Sequence, residues 1–242
     1  CKINGYRGKG VMKRKYSKRF KKLLEISKEK KPLEIDTVIS KVKKNCTTNF
    51  DESIDVSFLL NLKQKKEKFN LRTVVNLPNG NGKKVKVAVL CEESKLSEAK
   101  DAGAELYESE SLISDITLGK IKFDTLVATP AMMKKMSKLG KVLGPKGLMP
   151  NPKLGTVTNN IKSTVKAIKT GQIEIKNDED GNLGASIGKK SFADNKIKEN
   201  FDSLLQALSK EKPNGIKGNF IKSAFLTSTM GVSYKLKLAN KL

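Results

Sequence analysis

The sequence predicts an α/β protein whose central part forms a largely parallel sheet. Between residues 84 and 139, strand-like and helix-like segments alternate three times. Such alternation implies crossover connections between parallel strands. A break at Pro78, Gly80 and Gly82 precedes this region and predicts a domain boundary. With 242 residues the chain can build one large domain or two smaller ones, each with its own core.

Three elements are predicted before that break. The segment KRKYSKRFKKLLE can form a basic helix, which lies either on phosphates or in a solubilising tail. With the side chains of Phe20, Leu23 and Leu24, this helix would cover a small apolar surface of the protein. The segment PLEIDTVISKVKKN has apolar residues at helical spacing, with Asp36 as a candidate N-cap. Alternation through FDESIDVSFLLNL predicts a strand.

The alternating region itself contains the strands KVKVAVL and FDTLVATP and the helices SEAKDAGAELY and ESLISDITLG. A further helix follows in NNIKSTVKAIKTG, where Gly171 is the expected stop. Charge divides this part of the chain. Residues 87–133 carry nine acids and four lysines, whereas residues 134–171 carry nine lysines and no acid. One end of the domain is therefore expected to be basic.

The last part of the chain returns to mixed elements. QIEIK is a short strand and NDEDGN a tight turn. NKIKENFDSLLQALSK places its apolar residues on one side of a helix, which is the cleanest amphipathic pattern in the chain. NFIKSAFLTSTMGVSYKLKL is strand-like, but its TSTMG segment consists of small and polar residues that suit a core poorly.

The charge of the chain predicts a polyanionic partner. The sequence has 49 basic and 25 acidic residues, a formal net charge of +24, and nucleic acid is the commonest partner that offsets such a charge. A lysine-coated soluble surface is the alternative. Only Arg7, Arg14, Arg19 and Arg72 are arginines. Because lysine binds phosphate as a point charge, the composition favours recognition of backbone and shape over base reading.

The missing residue types argue against catalysis. Without histidine the chain has neither a Ser-His-Asp arrangement nor an imidazole metal ligand. Cys1, Cys46 and Cys91 have no paired spacing and are expected to be free thiols in a reducing compartment. No apolar run approaches the roughly 20 residues that cross a bilayer. Neither a metal nor a cofactor is expected.

The segment Lys138–Thr158, KLGKVLGPKGLMPNPKLGTVT, contains four glycines, three prolines and four lysines, and is expected to be mostly irregular. Its glycine spacing does not match a phosphate loop, which needs a following Gly-Lys-Ser/Thr. GPKG matches the GxxG of a KH domain, but LMPNP is a poor start for the helix that would follow. A basic glycine loop that contacts phosphates remains plausible from the residues alone.

Several stretches together resemble the family of the first large-subunit ribosomal protein, L-one, in its bacterial and organellar form. The glycine-proline segment is similar to the family signature almost throughout. The other matching stretches are YSKRFKKLLE, NFDES, VVNLPNGNGKKVKVAV, DAGAE, FDTLVATPAMM, GQIEIKND and GIKGNFIKSAFLTSTMG. They extend over residues 16–233, nearly the whole chain.

The resemblance implies two domains. A split α/β domain that binds RNA would consist of residues 1–80 and 172–242, and a Rossmann-like three-layer domain, residues 81–171, would be inserted into it. Members of the family bind large-subunit rRNA, form a mobile side stalk with it, and assist release of deacylated tRNA from the exit site. Bacterial members also repress translation of their own mRNA. The protein is expected to be a monomer within the ribosome.

The resemblance also implies which residues contact RNA. Matched by position, the rRNA-binding candidates are Phe50, Ser53, Glu174, Lys176, Asp178, Ser223, Thr227, Thr229, Met230 and Gly231. Ser53 and Lys176 stand where the family usually has threonine and arginine, and Asn49 replaces a usual lysine or arginine. The secondary contacts to tRNA or outer stalk RNA are Lys138, Lys141, Lys146 and Lys153.

The sequence also bears on an alternative function and on the compartment. A nucleotide-using enzyme on the central domain is the alternative function, although no G-x-G-x-x-G follows KVKVAVL. The compartment is expected to be the mitochondrial matrix, with a plastid or a bacterial cytoplasm as alternatives. An organelle is favoured by the composition, rich in lysine and asparagine, by the basic N-terminal segment and by a first residue that is Cys1 instead of methionine. The mitochondrion is favoured over a plastid because the glycine-proline segment and TSTMG resemble alphaproteobacterial relatives.

Overall fold

The computed structural model describes residues 16–26, 31–61, 71–92, 95–107, 111–119, 122–213 and 219–238. The helices of these residues are α1 (Lys18–Ile26), α2 (Ile35–Lys44), α3 (Leu96–Asp101), α4 (Ser111–Thr117), α5 (Pro130–Met136), α6 (Gly140–Leu143), α7 (Ile161–Thr170) and α8 (Asp194–Lys210). The strands are β1 (Ser53–Leu60), β2 (Arg72–Asn76), β3 (Val87–Leu90), β4 (Leu106–Tyr107), β5 (Thr125–Ala128), β6 (Gln172–Lys176), β7 (Asn182–Lys189), β8 (Ile221–Ser228) and β9 (Tyr234–Lys235). The fold is α/β with two domains, as the sequence predicted.

The first domain is built on an antiparallel sheet in the order β7-β1-β8-β9. Residues alternate along β1, so that Ile54, Val56 and Phe58 are buried on one face. α2 and α8 contribute to the same core, and the ring of Phe58 stacks on Phe201 with centroids 6.0 Å apart. The opposite face, which is polar, is called the outer face below.

Ion pairs join α2 to the start of α8. Asp36 accepts a hydrogen bond from Lys198 Nζ at 2.9 Å, and Lys43 Nζ contacts the Asp194 carboxylate and the carbonyl oxygen of Phe192. Asp36 was expected to cap α2, but the cap position is Glu34, and Asp36 lies within the first turn. The carboxylate instead serves a tertiary contact, which the local pattern could not reveal.

The two strands β2 and β6 form an antiparallel ribbon, in which Arg72 is opposite Lys176 and Asn76 is opposite Gln172. At its far end the chain passes through Gly80 and Gly171. A side chain at Gly171 would place its first carbon 2.4 Å from the Gly80 Cα, and the φ of Gly171 is +122°. Both the contact and the backbone conformation therefore require glycine.

The second domain has a parallel sheet in the order β4-β3-β5. Val87, Val89 and Val127 pack on one side with residues of α3 and α7. On the other side, Ala88, Leu90, Leu126 and Ala128 pack with residues of α4, α5 and α6. Because these strands are buried on both sides, their sequences are continuous apolar runs. The helices on the two sides of the sheet give a three-layer, Rossmann-like arrangement.

Two local predictions need correction. The helix expected over SEAKDAGAELY ends at Asp101, because Gly103 has a φ of +80° and the chain then enters β4. Phe20 was expected to cover apolar surface, but its side chain is 38% exposed.

The glycine-proline segment is mostly irregular, as expected. Its regular parts are residues 137–143, which are helical, and a further helical turn at Pro152–Leu154.

Candidate nucleic-acid interface

The turn that follows β8 lies against the start of β1. Residues 229–231 are called the Met230 turn, and residues 47–52, which lead into β1, the Phe50 loop. Ser53 N donates to Thr229 Oγ1 at 3.0 Å, and Thr229 N donates to the Ser53 carbonyl oxygen at 3.1 Å. These bonds bring together two segments that are 176 residues apart in the chain.

The side chain of Glu52 connects the Phe50 loop to the Met230 turn. This side chain is fully buried and accepts hydrogen bonds from Met230 N at 3.1 Å and from Thr48 Oγ1 at 2.7 Å. Burial raises the pKa of Glu52, but these hydrogen bonds outweigh it and hold the pKa below the ordinary 4.5. The carboxylate is therefore ionised at neutral pH and fixes the backbone of the turn.

Asp51 fixes the other side of the Phe50 loop. Its carboxylate accepts from Ser191 N at 3.0 Å and from Ser191 Oγ at 2.8 Å. Between these attachments the side chain of Phe50 is 53% exposed, and Met230 on the neighbouring turn is 48% exposed. Two large apolar side chains are thus presented to solvent on a backbone held by hydrogen bonds, an arrangement that suits contact with a ligand.

Gly231 completes the turn for a steric reason. A side chain here would place its first carbon 2.2 Å from Ser228 Oγ, which is itself buried. The glycine therefore keeps the turn close to β8 and presents backbone at the surface.

Two further candidates lie on the outer face of the four-stranded sheet. Thr227 is opposite Asp55 and Ser223 is opposite Leu59, so that both half-buried side chains project to the same side as Ser53. Phe225 lies between them on that face, opposite Ser57 and Lys235. Phe225 was not among the predicted site residues, although its place in the alternating pattern of β8 identifies its face.

The other three candidates lie towards the opposite end of β1. Arg72 Nε donates to Glu174 Oε1 at 2.6 Å, and Lys176 is exposed beside them on the ribbon. Asp178 accepts from Asn182 N at 2.6 Å, and hydrogen bonds from Asn182 lower the pKa of its carboxyl. Asn182 is opposite Leu59, which is six residues and about 20 Å along β1 from Ser53. The structure therefore does not gather the ten candidates at one point.

Eight of these positions nevertheless lie along one strip, and Glu174 and Lys176 lie on the ribbon of β2 and β6. Ser223 and Asn182 flank Leu59 on either side of β1, while Thr229 and Phe50 lie at the Ser53 end. The strip runs along the outer face from the Met230 turn to the turn that contains Asp178. It has the length and polarity to follow several nucleotides of a folded RNA.

The glycine-proline segment belongs to the second domain. Its four lysines, Lys138, Lys141, Lys146 and Lys153, are all exposed. Leu139, Leu143 and Leu154 are buried and anchor the segment. Asn151 orders the last turn, since its side-chain oxygen accepts from Lys153 N at 2.9 Å. The segment is an anchored loop with its charges directed to solvent.

Other chemistries find little support within the described residues. No group of three or more Cys, Asp or Glu side chains there could hold a metal ion. Cys46 and Cys91 are buried free thiols, as expected, and burial raises the pKa of both. Cys1 lies outside the described residues. Among the described helices, none has the length and apolar character of a membrane span.

An exposed polar surface on an α/β protein of strongly basic charge is typical of nucleic-acid-binding proteins. The model of the ribosomal protein L1p/L10e family matches residues 42–232. The chain belongs to this family, and the resemblance seen in the sequence is confirmed.

Three similar proteins cover nearly the whole chain. Large ribosomal subunit protein uL1 of Pelagibacter ubique is 58% identical over 227 residues, which are 93% of this chain and 99% of that protein. Large ribosomal subunit protein uL1c of Phaeodactylum tricornutum is 43% identical over 224 residues, with 93% and 97% covered. Large ribosomal subunit protein uL1 of Fervidobacterium nodosum is 42% identical over 225 residues, with 93% and 96% covered.

Proposed function

We propose that the chain is a structural component of the large ribosomal subunit and that its outer face, with the Phe50 loop and the Met230 turn, binds large-subunit rRNA. One observation carries the proposal: a fully buried carboxylate, Glu52, holds the Met230 turn so that apolar and polar groups are presented on a protein of net charge +24. A partly apolar, preformed surface of this kind fits a folded RNA better than loose charge does.

Each group at the turn has a role in this proposal. Thr229 Oγ1 already accepts from Ser53 N, yet a hydroxyl has a second acceptor site, which a ribose 2′-hydroxyl can use. Gly231 permits close approach of the RNA backbone. Phe50 and Met230 pack against sugar or base surfaces. The turn therefore recognises the shape of the RNA instead of its base edges, in agreement with the low arginine content.

The opposite end of the strip supplies charge. Lys176 contacts phosphate, while Glu174 and Asp178 hold Arg72 and Asn182 in place through the hydrogen bonds described above. We extend the proposal to the lysines of the glycine-proline segment, which contact exit-site tRNA or outer stalk RNA. Repression of the protein's own mRNA would use the same strip as rRNA binding.

Met230→Asp tests the proposal, because it sets a negative charge against RNA phosphate without touching the core. We expect the affinity for the large-subunit rRNA of Pelagibacter ubique to fall by about 100-fold or more at physiological salt, by roughly the penalty of an unpaired charge. Met230→Leu is the control and should bind within a few-fold of the unchanged chain. Normal binding by the Asp variant would refute the assignment.

We also propose the domain boundaries given above. The buried residues of the first core lie within Val38–Leu77 and Ile175–Leu236, and those of the other cores lie within Val87–Ile168. Residues 81–171 produced alone should then unfold in urea in one cooperative transition. The absence of a cooperative transition in this fragment would contradict the division.

The mitochondrial compartment is a prediction from the sequence alone. None of the three relatives described above is named as a mitochondrial protein. Cell fractionation followed by detection of the protein in mitochondrial or other ribosomes decides between the mitochondrion, a plastid and a bacterial cytoplasm.

A further inference from the structure

Helix α1 lies directly beside the Met230 turn. Arg19 Nη1 donates to the Met230 carbonyl oxygen and to Thr47 Oγ1, each at 3.3 Å. Leu23, one turn further along, is 3% exposed, so α1 packs against the protein through this side. The helix therefore borders the same turn and loop that the proposed rRNA interface uses.

Two aromatic side chains are exposed at the start of α1. Tyr16 is 52% exposed and Phe20 is 38% exposed, and their ring centroids are 5.1 Å apart at an interplanar angle of 41°. Two aromatic rings at a surface carry a cost in water, and their faces suit stacking. Phe50 and Met230, the large apolar groups of the proposed interface, are exposed in the same part of the first domain.

The surroundings of this pair are cationic. Lys18, Lys21 and Lys22 are exposed on α1, and the helix has no acidic residue before Glu25. An apolar peptide would gain nothing from these lysines, whereas a nucleotide offers a phosphate to the cations and a π-face to the rings. Charge complementarity therefore favours RNA as the occupant.

We propose that Tyr16 and Phe20 form a stacking site for an unpaired base of the bound RNA, with Lys18, Lys21 and Lys22 contacting the adjacent phosphates. Arg19 positions this site by joining α1 to the Met230 turn. The inference rests on the proposed function, since it assigns a second contact to the same RNA. It adds a second aromatic contact to the interface, beside that of Phe50.

Phe20→Leu tests the stacking role. Leucine is a large apolar residue and at least as good a helix former as phenylalanine, so the fold should be unaffected. It has no π-face on which a base can stack. We expect affinity for the large-subunit rRNA of Pelagibacter ubique to fall roughly 5- to 10-fold, within the usual range for loss of one stacked base. Ile26→Ala is the matched control, because Ile26 is 39% exposed on the same helix; its affinity should not change.

A fluorescence measurement reports on the contact itself. The chain has no tryptophan, so Phe20→Trp introduces a single reporter, and Ile26→Trp provides the control. Stacking on a base quenches indole emission. We expect rRNA to quench the Phe20→Trp emission and to leave the Ile26→Trp emission nearly unchanged.

The outcomes separate this inference from the proposed function. If Met230→Asp abolishes binding while Phe20→Leu binds normally and Phe20→Trp is not quenched, the stacking site is refuted and the rRNA interface stands. If Met230→Asp binds normally, the proposed function fails first. Equal quenching of both tryptophan variants also overturns the stacking site, because it would indicate general proximity to RNA.

Discussion

The Met230 turn and the glycine-proline segment differ in the charge that they expose to solvent. The Met230 turn has little charge, and its backbone is held by buried Glu52 and by the start of β1. The glycine-proline segment is anchored by buried leucines and by backbone hydrogen bonds of Thr156 and Thr158 to Ala128, and it extends four exposed lysines. Charge attracts a polyanion from any direction, whereas a fixed surface selects one shape. We therefore expect the Met230 turn to anchor the protein on RNA and the glycine-proline segment to make weaker contacts.

The largest expected effect comes from removing the support of the turn. In Glu52→Ala, the N–H of Met230 and the Thr48 hydroxyl lose their acceptor, and we expect a loss of about 1–3 kcal/mol in the free energy of unfolding. Urea denaturation followed by circular dichroism measures this loss, and hydrogen exchange should show faster exchange of the Met230 amide. An unchanged Met230 amide would mean that Glu52 does not hold the turn.

Changing Lys138, Lys141, Lys146 and Lys153 together to alanine should have a smaller effect. We expect rRNA affinity at physiological salt to fall less than about tenfold, with a shallower dependence of affinity on salt, since each lost phosphate contact removes about one unit of slope. Replacing the four by arginine is the control and should preserve the slope. If the alanine variant lost more affinity than Met230→Asp, the anchoring role would belong to the glycine-proline segment.

The smallest effect concerns pH. Because the folded-state pKa of Glu52 lies below its ordinary value of 4.5, its ionised form stabilises the protein above about pH 4.5. This contribution is lost as the pH falls through the folded-state pKa. In Glu52→Gln the free energy of unfolding should therefore decline less steeply between neutral pH and pH ~3. Identical pH profiles for both proteins would show that the carboxylate contributes no stability.

Much of the architecture could be predicted because its signals are local. The apolar stripe of α8, the alternation of β1 and the stop of α7 at Gly171 each follow from nearby residues, and the structure confirms them. The parallel central sheet follows from the order of its elements. Boundaries failed where the signal was mixed, as in SEAKDAGAELY, in which a short helix and a two-residue strand share eleven positions.

The candidate site depended far more on resemblance than on residue chemistry. TSTMG looks like an ordinary end of a strand, and its turn acquires a role only through pairing with Ser53 and Glu52, far away in the chain. Glu52 itself carries no local signal, since an acidic residue before a strand is normally exposed. Tertiary hydrogen bonds decide its burial, and one sequence cannot display them.

The contact between Gly80 and Gly171 has a consequence for how the molecule can be taken apart. The chain leaves the first domain and re-enters it at nearly the same point, and Leu77 N bonds to the Gly171 carbonyl oxygen at 3.2 Å across that point. The residues between Gly80 and Gly171 therefore resemble an insertion whose two ends lie next to each other. Splicing residue 80 to residue 171 through a short linker should leave a complete smaller protein, and circularly permuted versions of the excised part should fold as well.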